Sequence, residues 1–207
     1  MPSAVDTSRD SSGVVLREAA ESDAAAVHRV VAEAFGEAAG VAELWDEVVG
    51  RGHARRSIVA VADAEVVGHV GLSHAWLDAR RTLVDVWLLS PLSTRPDRQR
   101  QGVGTALVRA ATEAARAGGA PALFLEGDPR FYGARGFGPA RDRGFVAPSA
   151  RTPERAFQVV TFEAWEEWMT GAVVYHDVWW EHDAAGLRDP LLAEVEELLG
   201  GSRTQVR

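Results

Sequence analysis

The hexapeptide Gln99-Arg100-Gln101-Gly102-Val103-Gly104 stands between an apolar run punctuated by prolines and an alanine-rich stretch of helical periodicity. A strand, a glycine-containing turn and a helix start in that order gather unpaired backbone N–H groups at the positive end of a helix dipole. Such a nest suits phosphate or pyrophosphate, and glycines at 102 and 104 keep Cβ atoms away from the ligand. Two common phosphate loops fail on single residues. A nucleotide P-loop needs GxxxxGK[ST], but all 22 basic residues here are arginine. A dinucleotide fingerprint needs GxGxxG, and Leu107 occupies the third glycine position. Arg95, Arg98 and Arg100 flank the turn, which fits them to face a polyanion.

Other residues invite chemistry with less direction. Asp85 interrupts the apolar strand Leu83-Val84-Asp85-Val86-Trp87, on the face of Leu83 and Trp87. It reads as a carboxylate that binds or deprotonates an amine, or as a solvent-side group paired with an arginine such as Arg81. His69 and His74 are five residues apart on one strand, so they point to opposite faces; each alone reads as a hydrogen-bonded structural histidine. Glu126, just before a Gly-Asp-Pro turn, is a further acid/base candidate, whereas Asp128 reads as a helix cap. Trp165 and Trp168 in FEAWEEWM, with Trp179-Trp180, suggest an aromatic cage, but helical spacing beside valines favours packing. His176, Asp177, His182 and Asp183 lack the helical His-x-x-x-His spacing on a strand or irregular segment, so no metal site is expected.

The elements that must position these groups follow from periodicity and turn chemistry. Residues 14–18 form a first strand, and Ser22-Asp23 caps a helix over 24–35 with Val27, Val30, Val31 and Ala34 on one face. A second helix spans 42–49. Strands at 57–62 and 65–73 make a hairpin about Asp63-Ala64, and a strand at 82–89 feeds the glycine loop. A helix over 102–117 ends at Gly118-Gly119; a strand at 122–125 and a short helix from Asp128-Pro129 to 134 come next. Strands at 136–145 and 156–162 close the series, and an amphipathic helix begins near 184. That order predicts a mixed α/β sheet: residues 1–12 as a disordered leader, 13–183 as one domain and 184–207 as a C-terminal helix and tail.

At 207 residues the chain can bury one sizeable core. It contains no cysteine, which excludes disulfides, thiolate metal sites and a covalent acyl-cysteine. The net charge of −8 argues against nucleic acid as a partner. No apolar run is long enough to cross a membrane and the first residues do not read as a secretion signal, so a cytoplasmic protein is expected.

The Gln-x-x-Gly-x-Gly loop after an apolar strand resembles the acyl-CoA pyrophosphate loop of the GNAT superfamily of N-acetyltransferases. A second motif about 30 residues on, Tyr132-x-x-x-Gly136-Phe137 after Gly127-Asp128-Pro129, is similar to a YhbS-like bacterial branch. Leu92-Ser93-Thr94 is similar to that family's strand end, with Ser-Thr in place of a small apolar pair. The resemblance covers roughly residues 14–165. It implies a GNAT fold: a mixed, mostly antiparallel central sheet flanked by helices and splayed at the CoA-binding strand. It also implies acetyl-CoA as co-substrate, no metal, and direct acetyl transfer to a small amine or peptide amine in a ternary complex. Leu92, Ser93 and Thr94 would offer main-chain groups to the pantetheine arm. Gln99, Arg100, Gln101, Gly102, Val103, Gly104 and Thr105 would wrap the pyrophosphate. Tyr132 would contact CoA and protonate the departing thiolate, and Asp85 would face the acceptor cleft. The resemblance is also compatible with a non-catalytic acyl-CoA-binding module, and with a homodimer.

Overall fold

Apolar residues at helical spacing and a turn that both flanking strands accept build the first part of the fold. The computed structural model describes residues 13–200. These gather into two units, one of the chain up to His74 with Trp87–Ala120, the other of Ala75–Val86 with the chain from Pro121.

In the first unit, β1 (Val15–Glu18) pairs antiparallel with β2. Helix α1 (Ala24–Phe35) buries Val27, Val30 and Val31 and packs against α2 (Val41–Gly50), which buries Leu44, Trp45 and Val48. Asp23 directly precedes α1 but does not cap it. Its carboxylate accepts instead from the Arg17 guanidinium (2.9 Å) and the Ala20 N–H (2.7 Å). Strand β2 (Ala54–Ala62) and β3 (Glu65–Ala79) form an antiparallel hairpin with Val59 opposite His69. Asp63 and Ala64 turn it, both at positive φ (51° and 65°), the backbone a two-residue hairpin requires. Strand β3 outruns its expected end at 73 because alternation continues, with Leu77 buried and Trp76 partly exposed. Strand β4 (Leu83–Thr94) continues past residue 89, so Leu92, Ser93 and Thr94 belong to the strand itself. Helix α3 (Val103–Ala117) buries Val103, Ala106, Leu107, Val108, Ala111 and Ala115 and contacts β1 and β2.

In the second unit, β5 (Ala122–Glu126) is followed by the single-turn helix α4 (Pro129–Gly133). The strand expected over 136–145 breaks into β6 (Gly138–Pro139), a 3-10 turn at Ala140–Arg143, and β7 (Phe145–Val146). Pro139 has no N–H to offer a ladder, which shortens the pairing. Strand β8 (Phe157–Thr161) pairs antiparallel with β5, and β6 adds to its other side. Strand β9 (Gly171–Val174) pairs antiparallel with Trp76–Ala79 of β3 and parallel with β7. Phe124 is the core centre, stacked on Phe157 at 5.5 Å and edge-on to Phe145 at 4.9 Å. Helix α5 (Asp177–Glu181) corrects the expectation of a strand or irregular segment there. Helix α6 (Leu191–Leu198) is shorter than expected and buries none of its residues. Pro190 and the positive-φ Gly186 delay its start. The architecture is mixed α/β with mostly antiparallel strands. The leader at 1–12 and the tail from 201 lie outside the described residues.

Candidate functional site

The glycine loop lies wholly in the first unit. Pro96–Arg98 make a 3-10 turn after β4, Gln99 is extended, Arg100 is left-handed (φ 60°), and Gly102 is the left-handed N-cap of α3 (φ 89°, ψ −10°). The left-handed Gly102 followed directly by the right-handed first turn of α3 turns successive N–H groups toward one side, the geometry of an anion nest. The first helical bond runs from the Ala106 N–H to the Gly102 carbonyl at 3.0 Å. The N–H groups of Val103 and Gly104 therefore precede the helix ladder at the positive end of a 15-residue dipole. No side chain caps this terminus, as expected of a site that receives its capping oxygens from a ligand.

Side chains brace the loop rather than fill it. The Gln99 amide donates to the Thr94 carbonyl (3.2 Å) and the Gln101 amide to the Asp97 carbonyl (2.9 Å). Arg95 pairs with Asp97 (2.7 Å) and Glu65 (2.8 Å), and Arg98 with Asp63 (2.9 Å). Arg95 thereby holds the Asp97 carboxyl below its ordinary range. Asp63 lies in the β2–β3 turn and Glu65 opens β3, so these pairs clip the loop to that hairpin. This corrects the expectation for two of the three flanking arginines: Arg95 and Arg98 are bound to carboxylates, and Arg100 is the exposed one within the nest. Ser93 is buried, with its hydroxyl donating to the His69 carbonyl at 3.4 Å; Leu92 and Thr94 are half-buried, and Thr105 is exposed on the first turn of α3.

Behind this strand, His69 is fully buried. It shares a hydrogen bond with the Ser57 hydroxyl (3.0 Å) and lies 5.1 Å from the Trp45 ring. Burial pushes its pKa down to about 3, so it is a neutral structural histidine. His74 is buried as well.

The second unit holds the acid/base candidates. Asp128 caps α4 as expected, its carboxylate accepting from the Arg130 N–H at 2.9 Å. Arg130 also lowers the Asp128 pKa through its guanidinium. Tyr132, on α4, lies with its ring on the α-carbon of Gly127; a Cβ there would come within 2.3 Å of the ring. Phe131 and Phe137 meet that ring edge-on at 4.9 and 5.8 Å. The Tyr132 hydroxyl makes no hydrogen bond to a described residue. Burial raises its pKa to about 12, against the opposing charge of Arg135, so the phenol is fully protonated at neutral pH. Asp85 is exposed near the start of β4, with Leu83 also exposed and Trp87 buried.

Glu126, the last residue of β5, is half-buried and its carboxyl group is strongly perturbed by its surroundings. Burial pushes its pKa up to about 7; the Tyr175 hydroxyl, Thr152 and the Arg151 charge oppose that shift. The Tyr175 hydroxyl donates to Glu126 Oε1 at 3.1 Å. Tyr175 carries no sequence signal beyond rarity, since the chain has only 2 tyrosines. The helix expected to pack Trp165 and Trp168 does not form: residues 163–169 are turns and irregular backbone, and the two rings lie under the Arg143 and Arg81 guanidinia at 5.6 and 5.1 Å. Trp179 is buried, its ring 5.5 Å from Tyr175. Among the described residues, no group of three or more His, Cys, Asp or Glu is arranged to hold a metal, and no helix is long and apolar enough to cross a membrane.

A family model described as an acetyltransferase (GNAT) domain matches residues 15–140. The chain is 33% identical over 132 residues to YjhQ of Escherichia coli K12, an uncharacterized N-acetyltransferase, covering 62% of this chain and 72% of that one. Among solved structures, the GNAT family N-acetyltransferase YhbS of Escherichia coli in complex with CoA is similar, with a TM-score of 0.72 at 25% identity over 80% of this chain and 91% of that one. A GNAT family acetyltransferase of Brucella melitensis in complex with acetyl-CoA has a TM-score of 0.65 at 26% identity, covering 80% and 97%.

Proposed function

The chain belongs to the GNAT family of acetyltransferases, and from that premise we propose that it transfers the acetyl group of acetyl-CoA to the nitrogen of an amine acceptor by direct attack. The observation that carries this reading is the uncapped α3 N-terminus behind the left-handed Gly102, a nest for a pyrophosphate. The similar YhbS and Brucella structures hold CoA and acetyl-CoA, which supports the same ligand here.

In this reading the N–H groups of residues 101–105 receive the pyrophosphate oxygens, with Arg100 as the accompanying cation. Main-chain groups of Leu92, Ser93 and Thr94 meet the pantetheine arm. The acceptor nitrogen, as free amine, attacks the thioester carbonyl carbon and passes an N–H proton to a carboxylate base; the C–S bond then breaks and the CoA thiolate takes a proton from the Tyr132 hydroxyl. A half-buried phenol with no hydrogen bond to a described residue is suited to that donation. Asp85, an exposed carboxylate, would attract the acceptor as an ammonium ion. Without a cysteine no acyl-enzyme on sulfur can form, which favours a ternary complex.

The test is a thermal-shift comparison of acetyl-CoA, ATP and NAD, followed by free-thiol release from acetyl-CoA across small amines, aminoglycosides, amino acids and peptides. Stabilisation by acetyl-CoA alone, with thiol release dependent on one amine class, is expected. Stabilisation without release by any amine would favour a non-catalytic acyl-CoA-binding module, and stabilisation by ATP or NAD would refute the proposal.

A further inference from the structure

The chain's 2 tyrosines meet consecutive residues of one turn: the Tyr175 hydroxyl bonds the Glu126 carboxyl at 3.1 Å, and the Tyr132 ring lies on the α-carbon of Gly127. The turn is held from several sides. The Gly127 N–H donates to the Ala156 carbonyl (3.0 Å), and the buried Gln158 amide donates to the Gly127 carbonyl (3.0 Å). Asp128, the next residue, caps the helix that carries Tyr132. A carboxyl and a phenol are therefore fixed on either side of a single glycine. A carboxyl half-buried in such a setting for structural reasons alone carries a desolvation cost, which an amide would avoid.

Resting on the acetyl-transfer reading, we propose that Glu126 takes the proton released by the acceptor nitrogen, and that Tyr175 is its positioning residue. The step balances with the one above. As nitrogen bonds to the acetyl carbon, its N–H proton passes to a Glu126 oxygen, directly or through one water. The C–S electron pair leaves on sulfur, and sulfur takes the Tyr132 proton. Tyr175 holds one carboxyl oxygen, Oε1, by donating to it. The groups that face Glu126 set its readiness. Burial favours the neutral acid, whereas Tyr175, Thr152 and Arg151 favour the carboxylate, and Arg151 is itself shared with Asp183 at 3.3 Å. The balance lies near 7, so at neutral pH a substantial fraction is carboxylate and the conjugate acid can lose its proton again. Asp85, exposed at the start of β4, lacks that buried setting.

The test uses the full chain labelled with carbon-13 at the glutamate side-chain carboxyl carbons and saturated with acetyl-CoA. A resonance absent from Glu126→Gln should titrate near 7. In Tyr175→Phe its midpoint should move upward, because the carboxylate loses a donor. In parallel, thiol release is followed with spermidine, kanamycin, serine and a lysine hexapeptide. Glu126→Gln should keep its acetyl-CoA affinity yet lose turnover by roughly 100-fold or more, together with the acidic limb of the pH profile. A Glu126 midpoint in the ordinary range of about 4 to 5, or full turnover by Glu126→Gln, overturns the base role alone. Failure of the wild-type chain to bind acetyl-CoA overturns the acetyl-transfer reading and the base role with it. If no amine of the panel turns over, the carboxyl midpoint decides.

Discussion

Alanine at position 102 should weaken acetyl-CoA binding out of proportion to its effect on folding, and the structure supplies a matched control. Gly102 and Gly40 are both left-handed N-caps, at φ 89°, ψ −10° for α3 and φ 63°, ψ 14° for α2. A side chain at Gly40 would meet nothing within 4 Å, so Gly40→Ala reports backbone strain alone. Holding an L-residue in that conformation costs roughly 1–2 kcal/mol. For a chain of this size the cost lowers Tm by about 2–8 °C, and both variants should show it. Only Gly102 shapes the nest. If alanine relaxes toward negative φ, N–H groups turn away from the pyrophosphate, and one lost bond to a charged oxygen is worth about 1.5–3 kcal/mol. Affinity then falls roughly 10- to 100-fold, by the usual 1.4 kcal/mol per decade. At 100 times the wild-type Kd, acetyl-CoA stabilises the wild-type chain by about 2.7 kcal/mol. Thermal unfolding with and without acetyl-CoA at that concentration is the assay. Gly40→Ala should keep the whole ligand-induced rise in Tm, and Gly102→Ala should lose about half of it or more. An undiminished rise in Gly102→Ala would refute the nest as the phosphate site.

Tyr132→Phe should retain acetyl-CoA affinity and the ring's contact with Gly127 but lose turnover by about 100-fold, measured as thiol release; full turnover would remove the acid role. Glu126 also predicts a stability signature. Its folded pKa, about 7, lies above the ordinary 4.5, so its contribution is fully present below 4.5 and lost as pH rises through 7. Glu126→Gln should therefore match wild type at pH 4 and exceed it at pH 8 by up to about 3 kcal/mol in denaturant unfolding. His69 runs the other way: with its folded pKa depressed to about 3 from 6.5, stability is lost as pH falls between those values. His69→Gln should flatten that acid limb. Phe124→Ala, which empties a fully buried site between Phe157 and Phe145, should cost about 3–5 kcal/mol in the same assay.

Local signals made most elements of the chain legible. Valines at 27, 30 and 31 gave α1 its bounds, Asp63-Ala64 marked the β2–β3 hairpin, and Asp128-Pro129 marked the start of α4. Each depends on side-chain period, turn chemistry or a cap, which act over a few residues. The misreadings share a different origin. FEAWEEWM has helical spacing but forms turns, with its tryptophans under arginines from residues 81 and 143. Residues 136–145 have strand-like composition, but Pro139 and a 3-10 turn divide them.

The glycine loop and the Tyr132 motif were written in the sequence itself, because a phosphate nest needs particular residue types at fixed spacing. What those residues touch was not. Pairing of Arg95 and Arg98 with Glu65 and Asp63 joins positions 30 and 35 residues apart, and the Glu126–Tyr175 hydrogen bond joins positions 49 apart. Proton affinity depends on burial and on neighbours brought in by other strands, so only tertiary structure could separate Glu126 from the chain's other carboxylates.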